Sequence, residues 1–384
     1  MAKSHGREVV FKLDNLAGSL SDISTYLDNV GFQPSADRPE TQTFGQNAKR
    51  RQVLGLRDGG TISVAGFFVP VTAKVHGRSN KLLVDQFDLT TYFDTCSISR
   101  SCDLSETQTF GDNWKERGVP GLTDGGMTLG GFFDSVANGP DARVKVALGD
   151  TDGQIVTRGN DFAIGSLVDL LQAAETSYET PGNENEVNRL SAEFVPDGPI
   201  DLGVSLHDLT NVTATGAFAR VDESAGTTNG GVGHLHVTTF GGSGNPTISI
   251  LHSTSTATGA VLITFTALAA ATAQRVEVTG TVKRYVYAQV DTAGSVAGGV
   301  TFQTSFARRG FAYGTAGTYR HWCGMLQNAN SQSFEYGPEG GATNDKKLSG
   351  EVRLGSLEVN FNENEVVKFS ADLMADGAIS TGAF

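Results

Sequence analysis

Apolar residues along this chain alternate with polar ones more often than they recur at helical spacing. The stretches "EVVFKL" from Glu8 to Leu13 and "KLLVDQF" from Lys81 to Phe87 show the period of two that turns one face of a strand toward a core. Between residues 207 and 307 such runs follow one another: "GHLHVTTF", "TISILHS", "GAVLITFTAL", "QRVEVTG", "RYVYAQV" and "VTFQTSF", with Gly, Asn and Pro among the residues that bound them. Strands at that spacing predict a β-sandwich. Helical period is scarce. The best helix candidate is "GSLVDLLQAAET" from Gly165 to Thr176, with Leu167, Leu170 and Leu171 at i, i+3 and i+4. The predicted fold class is mainly β, with few short helices.

The pattern also repeats. Laid over Thr91–Gly126 without a gap, Thr25–Gly60 matches at 20 of 36 positions. The matches include Tyr26 and Tyr92, Asp28 and Asp94, the hexapeptide "ETQTFG" at Glu40 and at Glu106, Lys49 and Lys115, Arg51 and Arg117, and the two Asp-Gly-Gly runs at Asp58 and Asp124. After a one-residue slip "AGFF" answers "GGFF". A second echo, "NENEVNRLSAEFVPDGPI" from Asn183 and "NENEVVKFSADLMADGAI" from Asn362, agrees at 10 of 18 positions, with a much wider separation between its copies. This is an internal duplication.

The unequal separations predict a nested order. The late copy at 183 completes the second early copy, and the late copy at 362 completes the first. Unit one is then residues 1–76 with 308–384, unit two is 77–206, and 207–307 is an inserted β-sandwich domain. Four half-domains in a row are the sequential alternative. Within each early copy, the Asp of "DIST" or "DLTT" is expected to cap a turn or helix, and the Asp-Gly-Gly run to close a turn before the strand holding the phenylalanines.

Composition narrows function by exclusion. Lys and Arg total 29 against 42 Asp and Glu, a formal charge of −13, which repels phosphate and disfavours ordinary nucleic-acid binding. Three cysteines, Cys96, Cys102 and Cys323, form no CxxC pattern; a Cys96–Cys102 bridge is open, with small buried thiols the commoner case. The first residues, "MAKSHGREVVFKL", lack a signal peptide's apolar core, and the run from Ala260 to Ala273 is shorter than a membrane helix needs, so the expectation is a soluble chain made inside the cell.

Catalytic chemistry finds no constellation. His234 and His236 share one strand face, but no third metal ligand is near in sequence, and two surface histidines are the simpler reading. "FGGSGN" at Phe240 lacks the lysine and helix of a phosphate loop and reads as a hairpin turn. No nucleophile elbow surrounds any serine. No enzyme, metal or cofactor is expected.

The polar excursion after each early strand is the candidate contact surface between subunits or rings. Its residues are Glu40, Thr43, Phe44, Lys49, Arg50 and Arg51 in the first copy and Glu106, Thr109, Phe110, Lys115, Glu116 and Arg117 in the second. They place a basic cluster in an acidic protein, where an acidic neighbour is the natural complement and a solvated loop the plain alternative.

The order of "DIST", "ETQTFG", "GL-x-DGG", "AGFF" or "GGFF", "FEYGPEGG" from Phe334 and "NENEVVKFSADLMADG" resembles the tail tube (major tail) protein of long non-contractile-tailed bacteriophages, the siphovirus type. Residues 207–307, especially "TAQRVEVTGTVKRYV" from Thr272, resemble the immunoglobulin-like or jelly-roll-like β-sandwich modules on the outer face of some virion proteins. The resemblance implies rings stacked into a tube for genome delivery. The simplest family pattern has one tube domain per chain in hexameric rings, so a duplicated chain implies trimeric, pseudo-hexameric rings. It further implies tape measure, tail terminator and distal tail proteins as partners, double-stranded DNA passing through the lumen without specific binding, and a place in the virion tail after synthesis in the host cytoplasm. An acidic lumen would repel that DNA; acidity that merely keeps an abundant protein soluble is the alternative. Rival classes are a carbohydrate-binding adhesin using Tyr285 and Tyr287, and a head-decoration or terminator protein.

Overall fold

The computed structural model describes residues 8–384 apart from 37–56, 70–74, 108–113, 137–138, 146–147, 149–152, 183, 185, 257, 292–294, 311–314 and 329. It is nearly all β, in two antiparallel sheet systems with two short α-helices among the described residues.

One set of strands begins with β1 (Val10–Asp14), β2 (Leu20–Asp22), β3 (Leu27–Ala36) and β4 (Arg57–Phe67). The chain then builds a second set: β5 (Lys81–Val84), β6 (Phe87–Asp88), β7 (Phe93–Glu106), β8 (Arg117–Phe132), helix α1 (Pro140–Arg143), β9 (Gln154–Gly159), β10 (Leu167–Glu179), β11 (Arg189–Pro196) and β12 (Asp201–Val212). Eight strands of the insertion follow: β13 (Gly216–Ala217), β14 (Val221–Asp222), β15 (Gly231–Phe240), β16 (Ile248–Ser253), β17 (Ala260–Thr264), β18 (Thr272–Val278), β19 (Tyr285–Val290) and β20 (Val300–Arg308). Only then does the first set resume, with α2 (Tyr319–Gln327), β21 (Gln332–Gly337), β22 (Lys346–Asn362), β23 (Lys368–Ala375) and β24 (Ser380–Ala383).

The two sets share one pairing order. In the first it is β3-β4-β23-β22-β21-β1, and in the second β7-β8-β11-β10-β9-β5. The bulge between Leu354 and Ser356 in β22 recurs between Glu175 and Ser177 in β10, at the separation that also relates Asn362 to Asn183 in the late sequence copies. A glycine explains part of the repeat: a Cβ on Gly66 would sit 2.1 Å from the Tyr26 carbonyl oxygen, and one on Gly131 would sit 2.2 Å from that of Tyr92. "AGFF" and "GGFF" therefore keep the residue that lets two backbones touch. Asp22 accepts the Ser24 N–H and Asp88 the Thr90 N–H, so both copies hold the same short turn.

In the insertion, β15, β18 and β20 continue the large sheet through β12, and β13, β14, β16, β17 and β19 form a second sheet. Val237, Phe302, Phe306, Ile250, Ile263 and Val286 are buried in its core. Strand β12 is shared: Asp201–Val204 pairs with β10, and Val204–Val212 with β20, so residue 207 lies inside one continuous strand.

Two local expectations are corrected. Most of Gly165–Thr176, the expected helix, lies in strand β10 (Leu167–Glu179), which is flanked by β9, β11 and β12 and buried through most of its length. A short apolar run buried on both faces carries no period that separates helix from strand. Nor does either Asp-Gly-Gly run close a turn. Both lie inside strands, β4 and β8, and only Gly60 has a positive φ, +83°, beside the bulge that opposes Gln33 and Ser35. The true Asp-Gly turns are at Gly198 and Gly377, φ +108° and +88°.

The histidine pair is also corrected, since neither ring is at the surface. His234 and His236 are fully buried and both meet the Thr157 hydroxyl, at 3.1 and 2.7 Å, which ties the insertion to β9. Burial pushes His236 down to about 4 and His234 well below its ordinary value. All three cysteines are buried free thiols.

One ionic cluster joins the two sets. Asp169 on β10 binds Arg100 on β7 at 2.6 Å and Arg158 on β9 at 3.2 Å, and accepts the Tyr319 hydroxyl of α2 at 2.8 Å. The Arg158 guanidinium also lies 3.1 Å from the centroid of the Phe361 ring of β22. Removing the carboxylate would leave two buried cations without their anion. Asp169→Asn is therefore expected to lower unfolding free energy by about 3–5 kcal/mol in denaturant titration; a loss under about 1 kcal/mol would show that the cluster is not essential to the joint.

Candidate assembly interface

Strand β22 is long enough to serve both sets. Its Val352–Asn360 stretch pairs with β23, while Ser356–Asn362 pairs antiparallel with Ser101–Thr95 of β7. The Glu363 N–H donates to the Asp94 carbonyl at 2.9 Å, which fixes the bonded pairs of this ladder as Phe361 with Cys96, Val359 with Ile98 and Leu357 with Arg100. All six residues are less than 9% exposed. The two duplicated sheets are thus joined edge to edge, with a dry, interdigitated core at the seam.

The basic residues of the second copy sit at one end of this seam. Arg117 pairs with Asp58 at 3.1 Å, donates its backbone N–H to Asp376 at 2.7 Å and reaches the Ala375 carbonyl with its guanidinium. Asp376 also holds Arg353 at 2.9 Å. Lys115 donates its backbone N–H to the Arg57 carbonyl, accepts the Gly377 N–H, and pairs with Glu106 at 3.3 Å. Burial opposes ionisation of Asp58, but the Gly60 N–H and Arg117 outweigh it and hold the carboxyl below the usual range.

Of the sequence candidates, Glu106, Lys115 and Arg117 therefore come together against the first strand set of the same chain, while Glu116 is exposed. Glu40, Thr43, Phe44, Lys49, Arg50, Arg51, Thr109 and Phe110 lie outside the described residues. The acidic partners Asp58 and Asp376 were not among the candidates. Both stand in the duplicated letters, in "DGG" and "ADG", yet nothing in one dimension shows that copy two's cations close on copy one's aspartates.

One position breaks the equivalence of the sets. Where β22 carries the core residue Leu354, β10 carries Glu175, 2% exposed, with neither carboxylate oxygen hydrogen-bonded among the described residues. Burial pushes its pKa up to about 8. Tyr287, a candidate sugar contact, is 1% exposed, and its hydroxyl accepts the Gly259 N–H. No group of three or more potential metal ligands occurs among the described residues, and no described helix is long and apolar enough to cross a membrane.

No family model and no curated protein matches the chain. Solved structures similar to it include a component of the virion of a native gene transfer agent particle, at 15% identity and TM-score 0.28, covering 33% of this chain and 95% of that one. Another is the SPP1 Dit (gp 19.1) protein, described as a paradigm of the hub adsorption apparatus in phages infecting Gram-positive hosts, at 12% identity and TM-score 0.25, covering 60% and 99%. A third is the tail of an empty gene transfer agent particle, at 12% identity and TM-score 0.20, covering 53% and 98%. Each score lies below the level that carries a shared fold.

Two outcomes are expected, one at this seam and one at Glu175 of β10. Arg117→Ala removes a largely buried charged partner of Asp58 and should cost about 2–3 kcal/mol, whereas Glu116→Ala should stay within about 0.5 kcal/mol. Urea titration of both variants checks the contrast. For Glu175, the folded pKa lies above the unfolded value, so its protonated form is neutral to stability at acid pH and stability falls as pH rises from 4.5 toward 8. Glu175→Leu should remove that decline, raising the thermal midpoint most at pH 8 and little at pH 4.5; an equal shift at both would exclude titration as the cause.

Proposed function

We propose that the protein is a structural component of a bacteriophage tail of the non-contractile type, a ring-forming subunit of the tail tube. Its two strand sets are two copies of one tube-building domain, residues 1–76 with 308–384 and residues 77–206, and residues 207–307 are a sandwich carried between them. The observation that carries this reading is the seam between β22 and β7. Two copies of one sheet already stand side by side through their edges, and the equivalent outer edges, on β3 and on β10 from Ser177 onward, have no strand partner among the described residues. A joint that uses different edges on its two sides repeats from copy to copy and closes into a ring when its rotation allows.

Three chains then supply six similar sheets, and the closed barrel buries every strand edge. The function is conduction and carries no chemistry: the wall is a stack of such rings, and DNA crosses it unbound. A carbohydrate-binding adhesin is less well supported, because Tyr287 is in the core and Tyr285 lies beneath Arg284, 5.1 Å from its ring centroid.

Cryo-EM of the assembled protein is expected to show hollow tubes of stacked rings with three chains per ring and sixfold-like density near the lumen. Six chains per ring, or a particle holding only a few copies of the protein and no tube, contradicts the proposal.

A further inference from the structure

The internal seam is a template for the joint between chains, down to the residue. Resting on the ring-forming reading above, we infer that the edge of β10 at Ser177–Gly182 pairs antiparallel with the edge of β3 in a second copy of this chain. The register follows from two correspondences. The early sequence copies align Phe32 of β3 with Ile98 of β7, and the late copies, with their shared bulge, align Glu175 of β10 with Leu354 of β22. Transferring the β22–β7 pairs places Thr180 opposite Phe32, Pro181 opposite Gly31, Gly182 opposite Val30 and Glu179 opposite Gln33.

Three independent features fit this register. The first is backbone chemistry. Pro181 replaces Asn360, which faces Ser97 at a position that exchanges no hydrogen bond across the seam, so its missing N–H costs that ladder nothing. Pro34 replaces Arg100 at a bonded position, so the new ladder loses one donor there and runs on through Phe32 and Val30.

The second is volume. In the internal seam Phe361 stacks under Arg158; in the new one Gly182 takes the place of Phe361, and Tyr336 takes that of Arg158. Tyr336 is half-buried beside an open groove that Phe11, Leu27 and Val30 also line. Likewise Leu357 with Arg100 becomes Tyr178 with Pro34. At the central bonded pair Val359 with Ile98 becomes Thr180 with Phe32, and there the bulk lost by one side is restored by the other, as close packing across a seam requires.

The third is charge. Asp58 and Asp376, which hold Arg117, correspond to Asp124 and Asp197. The Arg353 that shares Asp376 corresponds to Ala174, so the second pair lacks that internal cation. Neither Asp124 nor Asp197 meets a cation among the described residues; Asp124 accepts only its neighbour's Gly125 N–H. The sequence counterpart of Arg117, Arg51, lies outside the described residues.

Cysteine cross-linking reads the register directly. Gln33→Cys with Glu179→Cys recreates the position of Ser99 opposite Glu358, a pair without mutual hydrogen bonds, where facing side chains stand closest. Under mild oxidation the assembled double variant is expected to give covalent multimers ending at three chains on a denaturing gel, while Asn29→Cys with Glu179→Cys, a pair well out of register, gives none. The three native cysteines are buried, so they do not compete. Multimers from the displaced pair, or none from the matched pair, overturn the inference. Electron microscopy of the same sample separates the two claims: hollow assemblies without the cross-link overturn this joint and leave the tube reading standing, and absence of both overturns both.

Discussion

The structure is governed by the requirement that a strand edge be paired. An unpaired edge presents a row of N–H and C=O groups that will bond to any extended chain, and a duplicated sheet has that difficulty twice. Here the chain resolves one half of it internally. Strand β22 extends past its partner β21 and on that edge bonds β7 of the second set, while β23 holds its other edge; the seam is sealed by Phe361, Val359, Ile98 and Cys96. The buried Asp169 cluster ties the two sets together beside the seam, because one carboxylate holds Arg100 and Arg158 of the second set and Tyr319 of the first.

The first strand set draws its strands from both ends of the chain. The second set and the insertion enter the first between β4 and α2, so the first set closes only after most of the chain has been made. Contacts such as Lys12 with Glu335, and β4 with β23, join positions near opposite ends of the sequence. Loop closure over such spans is slow but thermodynamically tolerable, since its entropy grows only with the logarithm of length. A second set that folds as a unit inside the loop shortens the effective span.

Much of the fold was legible in the sequence. The apolar runs of residues 207–307 coincide with strands, and the described parts of the early and late copies lie in strands that pair in the same order, because alternation and exact repetition survive in one dimension. What was not legible was context. Leu167–Glu179 carries helix-like spacing, yet it is a central strand because three others claim its edges. The histidines at 234 and 236 alternate like surface residues, and the Thr157 hydroxyl between them, with the Asp85 carbonyl on His236, makes their burial tolerable. At the assembly interface, Arg117 and Lys115 were visible as a basic cluster. Their partners Asp58 and Asp376 were not, since pairing across a seam is decided by how two sheets meet. Glu175 shows the limit from the other side: a charged residue in a repeated apolar position marks where duplicated copies have diverged.

The central claim is that one seam, seen within the chain, is repeated between chains. Hydrogen exchange of single backbone amides tests it most directly. In the isolated chain, Cys96, Ile98, Val359 and Phe361 should exchange slowly, and Val30, Phe32, Thr180 and Gly182 fast; on assembly the second group should become as protected as the first. Assembled protein in which those four amides still exchange at the isolated-chain rate would contradict the account.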